Sequence, residues 1–151
     1  MTHVPVQQVS VFLDNRPGSL SEVMSHLDKN KIRIFALSIA DAGEYGLIRM
    51  VTSDPETATK ILEDAEFNLA KSKKNIEVAA ILITAKDKMS KITHILGETG
   101  FNIEYAYSSA VHTEGKFALI LRVNDLEKAE KILKEKDIAI LSLAEMKQHF
   151  Q

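Results

Sequence analysis

The stretch Asp14-Asn15-Arg16-Pro17-Gly18-Ser19-Leu20 gathers an acid, an amide, a base, a proline and a glycine between an alternating apolar run and a helix-periodic segment. Gly18 stands at the turn from strand into helix, where the lack of a side chain lets backbone N–H groups approach a ligand closely. The first turn of a helix adds unpaired donors and partial positive charge. Pro17 fixes the turn, and Ser19 is expected to cap the helix. Asp14 and Asn15 supply acceptors beside those donors. Donors for a carboxylate beside acceptors for an ammonium form the complement of a free amino acid. The same residues also admit a plainer reading, a capped strand-to-helix turn.

Other chemistries find little material. There is no cysteine, which excludes disulfides, thiolate nucleophiles and thiolate metal sites. His3, His26, His94, His112 and His149 show no metal-ligand spacing, so no metal is expected. Ser108 and His112 lack a nucleophile elbow, and one glycine is no phosphate-binding loop. Neither catalysis nor a cofactor is expected.

The elements that must position the loop come in two copies. Shifted by 69 residues, segment 20–34 lies over 89–103, matching Leu20 with Met89, Val23 with Ile92, Leu27 with Leu96, Ile32 with Phe101 and Ile34 with Ile103. With two more residues of shift, 53–62 lies over 124–133, and Asp54 meets Asp125 just before a helix. At the matching place the second copy reads TAKDKMS (84–90), with Asp87 for Gly18 and Lys86 for Pro17. A turn that only had to start a helix therefore needs neither, and the first loop carries extra equipment.

Each copy reads strand, helix, strand, strand, helix, strand. In the first, 6–13 alternates as a half-buried strand, and Leu20, Val23, Met24 and Leu27 give one apolar helix face over 18–30. Strands follow at 32–40 and 47–53, joined by a hairpin flanked by Gly43 and Gly46, then a helix capped by Asp54 and a last strand within 67–74. The second copy predicts strand 77–85, helix 88–98, strands 102–112 and 117–123, helix 125–135, strand 138–142 and a short terminal helix over 143–150. The fold class is α+β: two tandem ferredoxin-like βαββαβ units, 1–74 and 75–151, with antiparallel sheets. The second strand of each unit is the natural candidate for joining them side by side into one extended sheet.

At 151 residues, 45% apolar and 26% charged, the chain has globular composition. Its net charge of −2 gives no reason to expect nucleic acid or an anionic membrane, and the two halves are equally balanced. Tyr105 and Tyr107 alternate without a basic stripe, against an RNA-binding sheet. The N-terminus shows no signal peptide, and the longest apolar run, 78–83, is too short to span a bilayer. A cytoplasmic protein is expected.

Loop 14–20, with the helix and strand that follow, resembles the start of an ACT domain, the βαββαβ module that binds amino acids in metabolic regulation. The resemblance covers essentially the whole chain as two tandem copies. Serine-binding members carry His-x-Asn-x-Pro-Gly-x-Leu in one domain and Gly-x-Asn-Ile at the second strand of its neighbour, with the ligand between them. Here the first copy has Asn15, Pro17, Gly18 and Leu20 but Arg33-Ile34 at the Asn-Ile position, whereas the second has Gly100, Asn102 and Ile103 without the loop. The resemblance thus implies one good site per chain, loop 14–20 against Asn102 and Ile103, and a weakened or empty quasi-symmetric one. The family's His position is Leu13, so a polar contact is missing and a larger or more apolar amino acid suits it better. Arg16 is expected in solvent or against another subunit.

The functional expectation is a non-catalytic regulator binding a free amino acid between its two domains. The alternative is a ligand-free interaction subunit that assembles with a metabolic enzyme; a small enzyme on the same scaffold is a third, weaker reading. Exposed strand edges suggest a homodimer.

Overall fold

Alternation in the strands and the i, i+3, i+4 stripes of the helices sort the apolar residues onto one face of each sheet. The structure, a computed structural model, describes residues 6–70, 76–110 and 112–150. Residues 7–76 form one compact unit; Val6 and the residues from Glu77 onward form the other.

The first unit runs β1 (Val6–Asp14), α1 (Ser19–Lys29), β2 (Ile34–Ala42), β3 (Tyr45–Thr52), α2 (Pro55–Asp64) and β4 (Asn68–Leu69). Its antiparallel strand order is β2-β3-β1-β4. Val9, Val11 and Leu13 from β1 meet Val23 and Leu27 from α1 and Ala58 and Leu62 from α2 in one core. The last strand is shorter than expected, and the part of it that falls in 71–74 lies outside the described residues. Gly43 opens the β2–β3 hairpin with φ of 86°, but Gly46 lies within β3 opposite Leu13 rather than in the turn, because a two-residue loop needs left-handed backbone only once here.

The second unit repeats the order with β5 (Ile76–Ile83), α3 (Met89–Glu98), β6 (Ile103–Ser108), β7 (Phe117–Val123), α4 (Leu126–Glu135) and β8 (Ile140–Leu141), then adds α5 (Leu143–His149). Strand order is β6-β7-β5-β8. Ile81, Ile92, Leu96, Leu121 and Leu133 form its core. α5 opens with a capping box between Ser142 and Glu145. Of the strand expected over 102–112, β6 covers the part up to Ser108; beyond it the Ser109 N–H still donates to the Ala118 carbonyl at 2.8 Å while the Ser109 hydroxyl accepts the Ala118 N–H at 3.0 Å, and residue 111 lies outside the described residues.

The duplication is visible atom by atom. Asp54 and Asp125 each accept the N–H three residues on, Thr57 and Lys128, at 3.2 Å. Lys31 and Gly100 close α1 and α3 with φ of 58° and 84°, and β2 and β6 each break register after their first residue, Ile34 and Ile103.

One pair breaks the symmetry in the core. Thr52 faces Ile34 as Val123 faces Ile103, yet its hydroxyl is fully buried with no hydrogen-bond partner. An unpaired buried hydroxyl costs about 1–3 kcal/mol. Thr52→Val, which installs the residue the second unit already uses, is therefore expected to stabilise the protein by about 1 kcal/mol. Thermal unfolding checks this, with a Tm rise of about 2–4 °C; a fall would show that the hydroxyl is satisfied.

Candidate functional site

Loop 14–20 sits at the end of β1 and folds by local bonds. The Arg16 N–H donates to the Asp14 carbonyl at 2.9 Å and the Ser19 N–H to the Arg16 carbonyl at 3.3 Å. Gly18 takes φ of 88°, a left-handed conformation open to glycine and strained for other side chains. A Cβ built there meets nothing within 4 Å, so backbone shape rather than crowding demands the glycine. The N–H groups of the first turn of α1 lie directly behind it.

One expectation about a single residue changes. Gly18, not Ser19, is the N-cap of α1, and no side chain caps the helix. The left-handed turn starts the helix one residue early, so Ser19 enters its first position and points inward. Ser19 is 5% exposed, and its hydroxyl has no partner. Arg16 is exposed, and its guanidinium lies 3.3 Å from both Glu22 carboxylate oxygens and 3.8 Å from Asp14. Such an exposed pair contributes little stability, but it holds the cation over the first turn of α1. Asn15 and Pro17 are exposed, and Leu20 packs at the core edge. Leu13 is buried in the core at 7% exposure.

Beside the loop lies a hollow of about 60 Å³ whose lining includes Asp14, Arg16, Ser19, Glu66, Phe67 and Asn68. The last three were not foreseen. Asn68 arrives there because β4 pairs with β1 and sets it opposite Phe12; only that antiparallel register, invisible to local patterning, connects it to the loop.

The equivalent turn of the second unit is built differently. Leu13 faces Gly46 and Ile83 faces Phe117, so these strands match at a shift of 70 (83 − 13), while the helices match at 69. The second loop is thus one residue shorter. Its donors are used internally: Thr84 Oγ1 accepts the N–H groups of Lys86 and Asp87 at 3.2 and 2.9 Å, and Lys91 Nζ lies 2.7 Å from the Asp87 carboxylate. No loop residue there takes positive φ.

Asn102 and Ile103 belong to the second unit. The Asn102 N–H donates to Asn124 Oδ1 at 3.2 Å, just as the Arg33 N–H donates to Ser53 Oγ at 2.9 Å in the first. The Asn102 side chain is exposed, and Ile103 packs on the second core. Gly100 has a structural role that Lys31 fills in the first unit, since both close a helix in the left-handed region.

His26 packs edge-on against Phe67 at 5.7 Å between ring centroids, and His94 lies 3.7 Å from Glu98. Among the described residues, no three His, Asp or Glu side chains cluster as a metal site, and no helix is long and apolar enough to cross a membrane.

A protein-family model described as an ACT domain pair matches residues 4–148. A crystal structure of a protein from Bacteroides thetaiotaomicron is similar over 95% of this chain and 96% of that one, with 30% identity and a TM-score of 0.84. The ligand-free regulatory subunit of aspartate kinase from Thermus thermophilus is similar in fold at 16% identity, with a TM-score of 0.61 over 87% of this chain and 93% of that one. The regulatory subunit from Thermus flavus, also 16% identical, gives 0.55 over 89% and 98%. No curated protein matches the sequence significantly.

Proposed function

The chain belongs to the ACT domain pair family, and from that membership we propose that it is a non-catalytic regulator that binds a free amino acid at loop 14–20. The ligand's carboxylate takes the N–H groups behind Gly18, and Asp14 and Asn15 face its ammonium. Pro17 and Ser19 shape the turn, Leu20 anchors it to the core, and Asn102 and Ile103 of a second unit close the site. Binding that favours one arrangement of domains over another would signal to a partner. The protein would work in the cytoplasm as a homodimer, with no nucleic acid or membrane involved.

One observation carries this reading. Two copies of one unit start their first helices differently, and only the first copy leaves its turn open, with a left-handed glycine and an unpartnered hydroxyl. The second copy shows that the fold does not require this.

The experiment is equilibrium dialysis of the protein against a mixture of the twenty amino acids. One amino acid is expected to accumulate on the protein side to one equivalent per chain. In Asn102→Ala its affinity should fall about tenfold, the loss of one hydrogen bond to a charged group. No accumulation of any amino acid would overturn the reading.

A second reading rests on apolar exposure. Phe12 and Tyr45 are 38% and 48% exposed, and with Phe67 and Leu69 they line a depression of about 640 Å³. An apolar surface of this kind suits a protein partner, and the regulatory subunits with similar folds are named for an enzyme they accompany, aspartate kinase. A ligand-free subunit that assembles with a metabolic enzyme would use it.

A further inference from the structure

We propose that loop 14–20 selects an amino acid with an aromatic side chain and seats the ring in the depression between Phe12, Tyr45 and Phe67. This inference rests on the amino-acid reading of the loop and names the class of its ligand. It gives the depression to the ligand's ring rather than to a protein partner.

Strand register brings the depression to the loop. Tyr45 stands opposite Asp14, the first loop residue, and Phe12 lies two residues before Asp14 on β1, so the three share one face of the sheet. The hollow beside the loop is lined by Asp14, Arg16 and Ser19 from the loop and by Phe12, Phe67 and Asn68. Those last three also line the depression, so the surface runs on from the loop to the rings. At about 640 Å³ the depression has the size of a small-molecule site, about 300–1,000 Å³. Phe12 and Tyr45 leave ring surface open, while His26 packs edge-on against Phe67 and fixes that ring. Rings attract one another in offset and edge-to-face arrangements beyond their buried area, which an aliphatic side chain does not match. Glu63 and Asn68, the polar members of the lining, accept a ring hydroxyl or N–H, which admits tyrosine and tryptophan beside phenylalanine.

The second unit lacks both halves of this arrangement. Strand register and the helix-closing hydrogen bonds match Phe12, Tyr45 and Phe67 with Leu82, Lys116 and Ile138. No aromatic ring stands at those places, and the loop there uses its donors internally. The fold therefore forms without the three rings, and the copy that carries them is the copy with the open loop.

The test is calorimetric titration of the full chain with L-phenylalanine and, separately, with L-alanine, which keeps the ammonium and carboxylate but has no ring. Phenylalanine is expected to bind about tenfold more tightly than alanine, or more. Tyr45→Ala and Phe12→Ala should each weaken phenylalanine binding about fivefold and leave alanine binding unchanged. Both side chains are partly exposed, so both variants are expected to fold. Alanine binding as tightly as phenylalanine, or phenylalanine binding unchanged in both variants, would overturn the aromatic subsite and leave the amino-acid site behind Gly18 standing. If neither binds, the aromatic subsite falls as well, and dialysis against the twenty amino acids decides separately whether the loop takes another.

Discussion

Gly18→Asp is expected to abolish stabilisation by the amino-acid ligand while leaving a folded protein. A ligand at one hundred times its Kd adds about 2.7 kcal/mol to the native state, and all of that should vanish. Two physical effects act together. The backbone at φ of 88° is strained for any side chain with a Cβ, at about 1–2 kcal/mol. A carboxylate at the same place would stand against the ligand's own carboxylate and compete for the helix N–H groups. No side-chain clash contributes, since a Cβ at Gly18 meets nothing within 4 Å. Folding should survive, because a strain of about 1–2 kcal/mol is small against the stability of an ordinary domain. Melting curves with and without ligand check both halves of the expectation. Gly18→Ala separates them: it imposes the strain without the charge, so it should weaken the ligand response rather than erase it.

The largest loss of stability is expected from Leu27→Ala. Leu27 is fully buried where α1 meets β1 and α2, and truncating such a residue removes about 2–5 kcal/mol. Leu96 holds the same place in the second unit and is equally buried. Leu96→Ala should therefore cost a similar amount, and denaturant unfolding of the two variants gives the comparison. A loss below about 1 kcal/mol at either position would mean that the local core collapses to fill the gap. Because α1 presents the loop, Leu27→Ala should weaken ligand binding more than Leu96→Ala does.

The repeat was legible in the sequence because both cores must solve one packing problem. Val23 and Ile92, or Leu27 and Leu96, are constrained to be apolar at helical spacing, and that spacing survives divergence. Asp54 and Asp125 were legible as caps for the same reason, since the orphan N–H groups of a helix call for an acceptor there. What escaped depends on long-range register. The shift of 70 in the strands against 69 in the helices is set by cross-strand pairing, so the shorter second loop could not be counted from patterning alone. Asn68 joins the loop only through its pairing opposite Phe12. Ser19 was expected to cap α1, but propensity at one position cannot tell the cap from the first helical residue, and the left-handed Gly18 decided it. Arg16 is exposed, and its ion pair with Glu22 follows from a turn geometry that spacing does not reveal.

The most direct test of the central claim is a thermal-shift screen of the wild-type protein with each of the twenty amino acids in millimolar excess, repeated on Gly18→Asp. The account predicts that one amino acid, or a chemically related few, raises the wild-type Tm and leaves the variant unmoved. If none of the twenty raises the wild-type Tm, or if Gly18→Asp responds as strongly as the wild type, the loop is not an amino-acid site.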